Sequence, residues 1–312
     1  YTDFYLERVR MAEKEVKDID GLIDQGLNAE NNELDLREKE LDDEDLIKVL
    51  ESDKVKGVTA LFLEFNDIGD EGLKALVESD KMKFLTALNL FKNKVTDEGL
   101  KALVKSKNML NLSELILSDN EISHEGAKMV ATSNILGSLV SLWLGDKVGD
   151  EGVKALATSE TLTRLTQLSL YRNNIGNEGA LAIAQSKNLS NLTELNLNWN
   201  YIDGEGVEAL AGSETLNNLK QLTLTFNPVG LRGAGAIAGS ENFRNLTLID
   251  LYETDLGNAG ARVLAESTTL RNLETLVLIH NDIGNEVQAL FKDNKNFPKI
   301  KDVYFFTAKA EV

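Results

Sequence analysis

The apolar positions of this chain change period in the middle of a unit, and the change recurs along its length. In the stretch Leu192–Asn218, Leu192, Leu195 and Leu197 mark the apolar side of a strand, closed by Asn200 and Ile202. Val207, Leu210 and Ala211 then fall at helical spacing, which puts them on one helix face. Neither half buries its apolar side alone, so the unit predicts a strand, a turn and a helix stacked on a neighbour of the same kind. The neighbours are present: the leading apolar residue recurs at Val58, Leu85, Leu112, Leu139, Leu165, Leu192, Leu219, Leu246, Leu273 and Ile300, almost always 27 residues apart. A weaker copy starts at Asn31, with Leu34, Leu36 and Leu41 standing where the next unit has Leu61, Leu63 and Ile68. This pattern predicts one continuous solenoid with eleven parallel strands, and helices that begin near 70, 97, 124, 150, 177, 204, 231, 258 and 285.

Several polar positions repeat with the leucines, and each has a backbone task. Asparagine follows the strand at Asn66, Asn93, Asn120, Asn173, Asn200, Asn227 and Asn281, where an amide side chain can donate to and accept from adjoining turns. Glu71, Glu98, Glu125, Glu151, Glu178, Glu205 and Glu286 fall in the first helical turn, where the helix dipole favours acids. The glycines one residue further on, from Gly72 to Gly260, are expected to allow close helix–strand contact. A serine past the helix, from Ser52 to Ser267, is expected to bond free backbone groups at that turn. Two units depart from the rule. The fourth loses a residue and its asparagine, which predicts an altered strand exit at Gly145, Asp146 and Lys147, and the eighth has Thr254 at the asparagine position.

The ends of the array predict caps. Tyr5, Val9, Ala12, Val16, Ile19 and Ile23 form one stripe on a helix, so residues 1–30 read as a capping helix and residues 31–312 as the repeat domain. Gly21 and Gly26 are expected to loosen the end of that helix. The run Asp42-Asp43-Glu44-Asp45 opens a helix as capping chemistry. A last strand rich in large rings, with Phe297, Tyr304, Phe305 and Phe306, closes the array.

The net charge is −18, and the first 57 residues hold 18 acids against 9 bases. Such a chain repels nucleic acid and anionic membrane and favours a basic partner. No run reaches the roughly 18 apolar residues of a membrane span. There are no cysteines, which excludes disulfides and thiolate metal sites. The chain starts at Tyr1 rather than Met and reads as a trimmed fragment. No cofactor and no metal site is expected, and a monomer is favoured.

The LxxLxLxxN unit followed by a helix resembles the ribonuclease-inhibitor-like class of leucine-rich repeat proteins. The helix Gly179-Ala180-Leu181-Ala182-Ile183-Ala184 is similar to eukaryotic-like repeats of bacterial effectors. The resemblance covers residues 31–306. It implies an α/β, right-handed horseshoe of about ten repeats, with a parallel concave sheet, outer helices and protein binding on the concave side. For an effector it also implies secretion into a host cell; otherwise the cytoplasm is expected. A subgroup of the family activates a Ran-type GTPase, which makes a small-GTPase activator the alternative and Arg172 the arginine to test; a purely structural or adhesive array is a third reading.

Positions 3, 5, 7 and 8 of LxxLxLxx should face the concave side, and large rings gather there. The candidate partner-binding residues are Phe62, Phe65, Phe91, Trp143, Tyr171, Arg172, Trp199, Phe226, Tyr252, Glu253 and Tyr304. Aromatic enrichment marks interface cores, although rings on adjacent strands also stabilise a sheet by stacking. Asp119, Asp146, Arg172, Trp199, Phe226, Glu253 and His280 form one column. In it Arg172 is expected to pair with Asp146 or lie over Trp199, and Glu253 to form a surface ion pair with His280. His124, in a first helical turn, is expected to face solvent. No nucleophile, metal set or paired acid–base constellation points to catalysis.

Overall fold

The computed structural model describes residues 17–292 and 294–306, and in it the repeated leucines close a single core. Leu61, Leu63, Ile68, Leu73 and Leu76 are all at most 1% exposed, and their counterparts in later units join them in one apolar cluster. The strands are β1 Leu27–Asn28, β2 Glu33–Asp35, β3 Ala60–Phe62, β4 Ala87–Asn89, β5 Glu114–Ile116, β6 Ile122–Ser123, β7 Ser141–Trp143, β8 Asp146–Lys147, β9 Gln167–Ser169, β10 Glu194–Asn196, β11 Gln221–Thr223, β12 Leu248–Asp250, β13 Thr275–Val277 and β14 Asp302–Tyr304. The helices are α1 Ile19–Gly26, α2 Asp43–Glu51, α3 Asp70–Glu78, α4 Asp97–Leu103, α5 His124–Thr132, α6 Gly149–Ala157, α7 Asn177–Gln185, α8 Gly204–Ala211, α9 Gly230–Gly239, α10 Gly257–Ala265 and α11 Asn285–Gln288. From α3 onward, every helix starts within one residue of the position its glycine-acid signal predicts.

Eleven strands, β2 to β5, β7 and β9 to β14, pair in parallel and in register, leucine beside leucine, as in Leu34↔Leu61, Leu88↔Leu115 and Leu195↔Leu222. A purely parallel sheet is therefore nearly right. The exception is β1, a two-residue strand that pairs antiparallel with β2 and covers its open edge.

Three ladders bind each unit to the next. Asn93 is typical of the first: its Nδ2 donates to the carbonyls of Leu63 at 2.8 Å and Leu90 at 3.1 Å, and its Oδ1 accepts from Ile68 N at 3.0 Å. The serine ladder runs at the other end of the helix. Ser133 Oγ donates to Val104 O at 2.8 Å and Ser213 Oγ to Ala184 O at 2.6 Å, satisfying a carbonyl that the preceding helix end leaves free. The third ladder belongs to an aspartate or asparagine in the first turn of six helices, at Asp43, Asp70, Asp97, Asp150, Asn177 and Asn258. Asp70 accepts from Thr96 N at 2.8 Å and Thr96 Oγ1 at 2.7 Å, so one helix helps to cap the next.

That first-turn residue also corrects the reading of the recurrent glycines. A Cβ on Gly99 would stand 2.5 Å from Asp70 Oδ1, and one on Gly179 would stand 2.6 Å from both Asp150 Oδ1 and Ile175 Cγ2. The close neighbour is chiefly the start of the preceding helix rather than a strand. A further set of asparagines, Asn111, Asn191, Asn218, Asn245 and Asn272, each bonds a carbonyl of the previous unit on the exposed side of the coil.

The shortened unit has its own solution. Without an asparagine after Leu144, β8 pairs in parallel with β6, Asp146 beside Ile122, so backbone pairing stands in for the missing amide. Thr254 substitutes more directly, its Oγ1 donating to Leu251 O at 2.8 Å.

At the amino-terminal end α1 lays Ile23, fully buried, against the first core layer. Gly26 does not loosen this helix: a Cβ there would collide with the Asp35 carbonyl, so glycine is required by close approach. The stripe residues Tyr5, Val9, Ala12 and Val16 lie outside the described residues. The acidic run forms a capping box, with Asp42 Oδ1 accepting from Asp45 N at 3.0 Å. At the far end Phe291 stacks on Phe297 with centroids 6.2 Å apart and meets Phe305 edge-on at 5.6 Å. Phe297 was foreseen there; Phe291 was not.

Candidate partner-binding face

The strands are only three residues long, so much of the candidate face lies just beyond them. The residue before the asparagine position adopts a left-handed backbone in unit after unit: φ is 56° at Phe65, 54° at Lys92, 55° at Asp119, 56° at Arg172, 57° at Trp199, 56° at Phe226, 49° at Glu253 and 57° at His280. Its N–H still continues the ladder, as where Trp199 N donates to Thr225 O at 2.8 Å, and the chain then turns so that the asparagine enters the core. Trp199 is thus a turn residue rather than the strand residue its spacing predicts. A non-glycine residue costs about 1–2 kcal/mol in this conformation.

Four of these exits and their neighbours carry a continuous run of rings. Trp199 and Phe226 have centroids 3.9 Å apart at 34°, Phe226 and Tyr252 5.3 Å at 52°, and Tyr252 and His280 5.0 Å at 40°. Trp199 remains 47% exposed, and Tyr201, two residues on, 68%. The expected Glu253–His280 ion pair does not form within 4 Å; His280 lies against the Tyr252 ring instead. Arg172 neither pairs with Asp146 within 4 Å nor lies over Trp199. His124 faces solvent as expected, 3.2 Å from Glu125 Oε1.

A second group of rings stands at the amino-terminal end of the face. Phe65 and Phe91 meet edge-on at 5.3 Å, with the Lys92 ammonium 5.0 Å above Phe65. Arg37 covers Phe62 at 5.6 Å and grips Asp35 through bonds of 2.9 and 2.5 Å. Phe65, Phe91 and Trp143 line an open hollow of about 770 Å³ together with Arg37, Glu64 and Asn89. Glu64 is 8% exposed, and burial pushes its carboxyl above the usual range. The spacing argument did not single it out, although it shares the row of Arg37 and Phe91.

Between the ring groups Asp146 and Asp119 stand near each other, each with a buried Oδ1 that has no hydrogen-bond partner among the described residues. Burial, and then the Asp119 charge, push the Asp146 pKa up to about 6, with Arg172 and Lys147 opposing. Tyr171 is half-buried beside Arg172. Tyr304, 42% exposed, ends the face on the last strand. Of the eleven candidate residues, Phe65 and Phe91 meet in one ring group and Trp199, Phe226 and Tyr252 in another, with Tyr171 and Arg172 between them and Tyr304 apart on the last strand. Among the described residues no group of three or more His, Cys, Asp or Glu side chains is arranged to hold a metal ion, and no helix is long and apolar enough to cross a membrane.

Sheet, asparagine ladder and outer helices together define a solenoid of stacked strand–helix repeats. The Leucine Rich repeat family matches residues 58–77, 81–104, 108–131, 161–184, 188–211 and 215–238. In its fold the chain is similar to an internalin from Listeria monocytogenes, with 20% sequence identity and a TM-score of 0.53, over 97% of this chain and 88% of that one. A comparison with curated proteins gives no match.

Proposed function

We propose that this chain is a non-catalytic interaction module that holds a partner protein against its concave face, with the Trp199–Phe226–Tyr252–His280 run at the centre of contact. The observation that carries this reading is the unbroken, partly exposed run of rings. Trp199 and Phe226 keep large rings on left-handed backbone, where a glycine is cheaper, and leave Trp199 nearly half exposed. The turn itself belongs to the repeat, since Lys92, Asp119 and Glu253 share it, but a large ring left exposed on it fits a binding role. Binding energy concentrates in central aromatic and arginine residues, and Arg172 and Trp199 stand mid-array. The acidic surface favours a basic partner.

The helices α3 to α10, seven to ten residues long, support the ribonuclease-inhibitor-like class, with about ten repeats in a right-handed coil. The test uses wild type and Trp199→Ala side by side. A partner recovered with wild type should bind the variant more weakly by about 2 kcal/mol or more, while the variant melts close to wild type. A folded variant that binds normally removes the ring run from the interface.

A further inference from the structure

The amino-terminal hollow holds a feature that the ring run lacks. Glu64 lines it at 8% exposure. Its Oε1 accepts from Asn89 Nδ2 at 2.7 Å, whereas Oε2 has no hydrogen-bond partner. A carboxylate oxygen withdrawn from water and left without a donor is costly. Two nearby cations are engaged elsewhere, while Lys39 also lines the hollow and makes no ion pair within 4 Å among the described residues. Arg37 is held by Asp35 at 2.5 and 2.9 Å, and Lys92 stands over the Phe65 ring. The hollow that Glu64 lines is also lined by the rings of Phe65 and Phe91 and, three strands along from Phe62, of Trp143, and ring faces attract a cation. The net charge of −18 favours a cationic visitor.

Building on the reading of the concave face as a partner surface, we propose that this hollow receives a lysine side chain of the partner protein, with its ammonium on Glu64 Oε2 and its stem between Phe65, Phe91 and Trp143. Lysine fits better than arginine. Asn89 already occupies one carboxylate oxygen, which blocks the fork-to-fork pairing that a guanidinium favours. A point charge on a slender stem needs one free oxygen and an apolar throat. Oε2 becomes reachable as the carboxylate turns about χ3, a soft torsion.

The experiment is a titration of the full chain followed by the ¹³C signal of the Glu64 carboxyl. The probes are Nα-acetyl-lysine N-methylamide, the norleucine analogue and the arginine analogue. The lysine probe should bind about tenfold more tightly than norleucine, the difference one charge-assisted contact makes, and more tightly than arginine. It should also lower the Glu64 pKa, because a bound cation favours the carboxylate. In Glu64→Gln, which should melt at or above the wild-type temperature, the lysine advantage should vanish. Equal binding of lysine and norleucine overturns the proposal, as does tighter binding of arginine or an advantage that survives Glu64→Gln. A Glu64 carboxyl that titrates below the usual range in the free chain also overturns it, because Arg37 would then fill the place. None of these readouts uses the partner, so failure here is separable from failure of the Trp199 test.

Discussion

A tryptophan with positive φ offers a way to separate backbone from side chain. Trp199→Ala removes the ring and keeps most of the left-handed cost, while Trp199→Gly removes both. Urea unfolding should find the glycine variant more stable than the alanine variant by about 1 kcal/mol, with equal loss of partner affinity in both. An alanine variant as stable as the glycine variant would mean that Trp199 carries no backbone strain. Asp146 makes a pH-dependent statement. Its folded pKa of about 6 lies above the ordinary value of 3.8, so the native state holds the extra proton, and stability declines as pH rises from about 4 through 6. Asp146→Asn should match wild type in melting temperature near pH 4 and exceed it at pH 8, with the gap opening between. A gap that is constant with pH would contradict the burial of this carboxyl. The ring column was legible in the sequence because it depends on spacing alone. The left-handed turns were not, since Phe and Trp have no preference for them and the asparagine ladder imposes them. Glu64 was hidden because its state depends on Arg37 turning to Asp35, a choice of side-chain direction that no pattern encodes.

At the scale of the element, the asparagine ladder and the first-turn ladder explain why short strands and short helices persist. Three-residue strands hold few bonds of their own, and an isolated helix of nine residues is marginal in water. Asn173 supplies what they lack: it donates to Leu144 O at 2.8 Å and Tyr171 O at 3.1 Å and accepts from Val148 N at 3.1 Å. Asn173→Ala leaves these buried groups bare and should cost about 3 kcal/mol or more. Asn191, whose one bond to Thr163 O at 2.9 Å lies on the exposed side, should cost no more than about 1 kcal/mol on the same change. Similar costs in chemical denaturation would show that the inner ladder has no special weight. Helix starts were readable to within a residue because the glycine-acid signal is local. The bond from Asp70 to the next helix was not readable, since it links residues 26 apart that only stacking brings together.

The molecule as a whole is a stack in which each unit leans on two neighbours and each end unit on one, which is why the ends are built differently. Removing residues 1–27 would take away Ile23 and β1's first residue and bare the layer of Leu34 and Leu36. The expected result is a lower melting temperature and binding of an apolar dye, because about 1.5–3 kcal/mol rests on burying Ile23 alone. Unchanged melting would give the segment another task. The seam at Gly145 bears on a different property, the response to load. Pulled by its two ends, a stack joined by repeated seams should pay out chain in quanta, about 90 Å of contour for each 27-residue unit. The force record should then be a sawtooth of nearly equal teeth. Its lowest tooth should belong to the unit around Gly145, where a two-residue backbone pairing replaces the asparagine bridge, so that this coil would carry a built-in mechanical fuse near its middle.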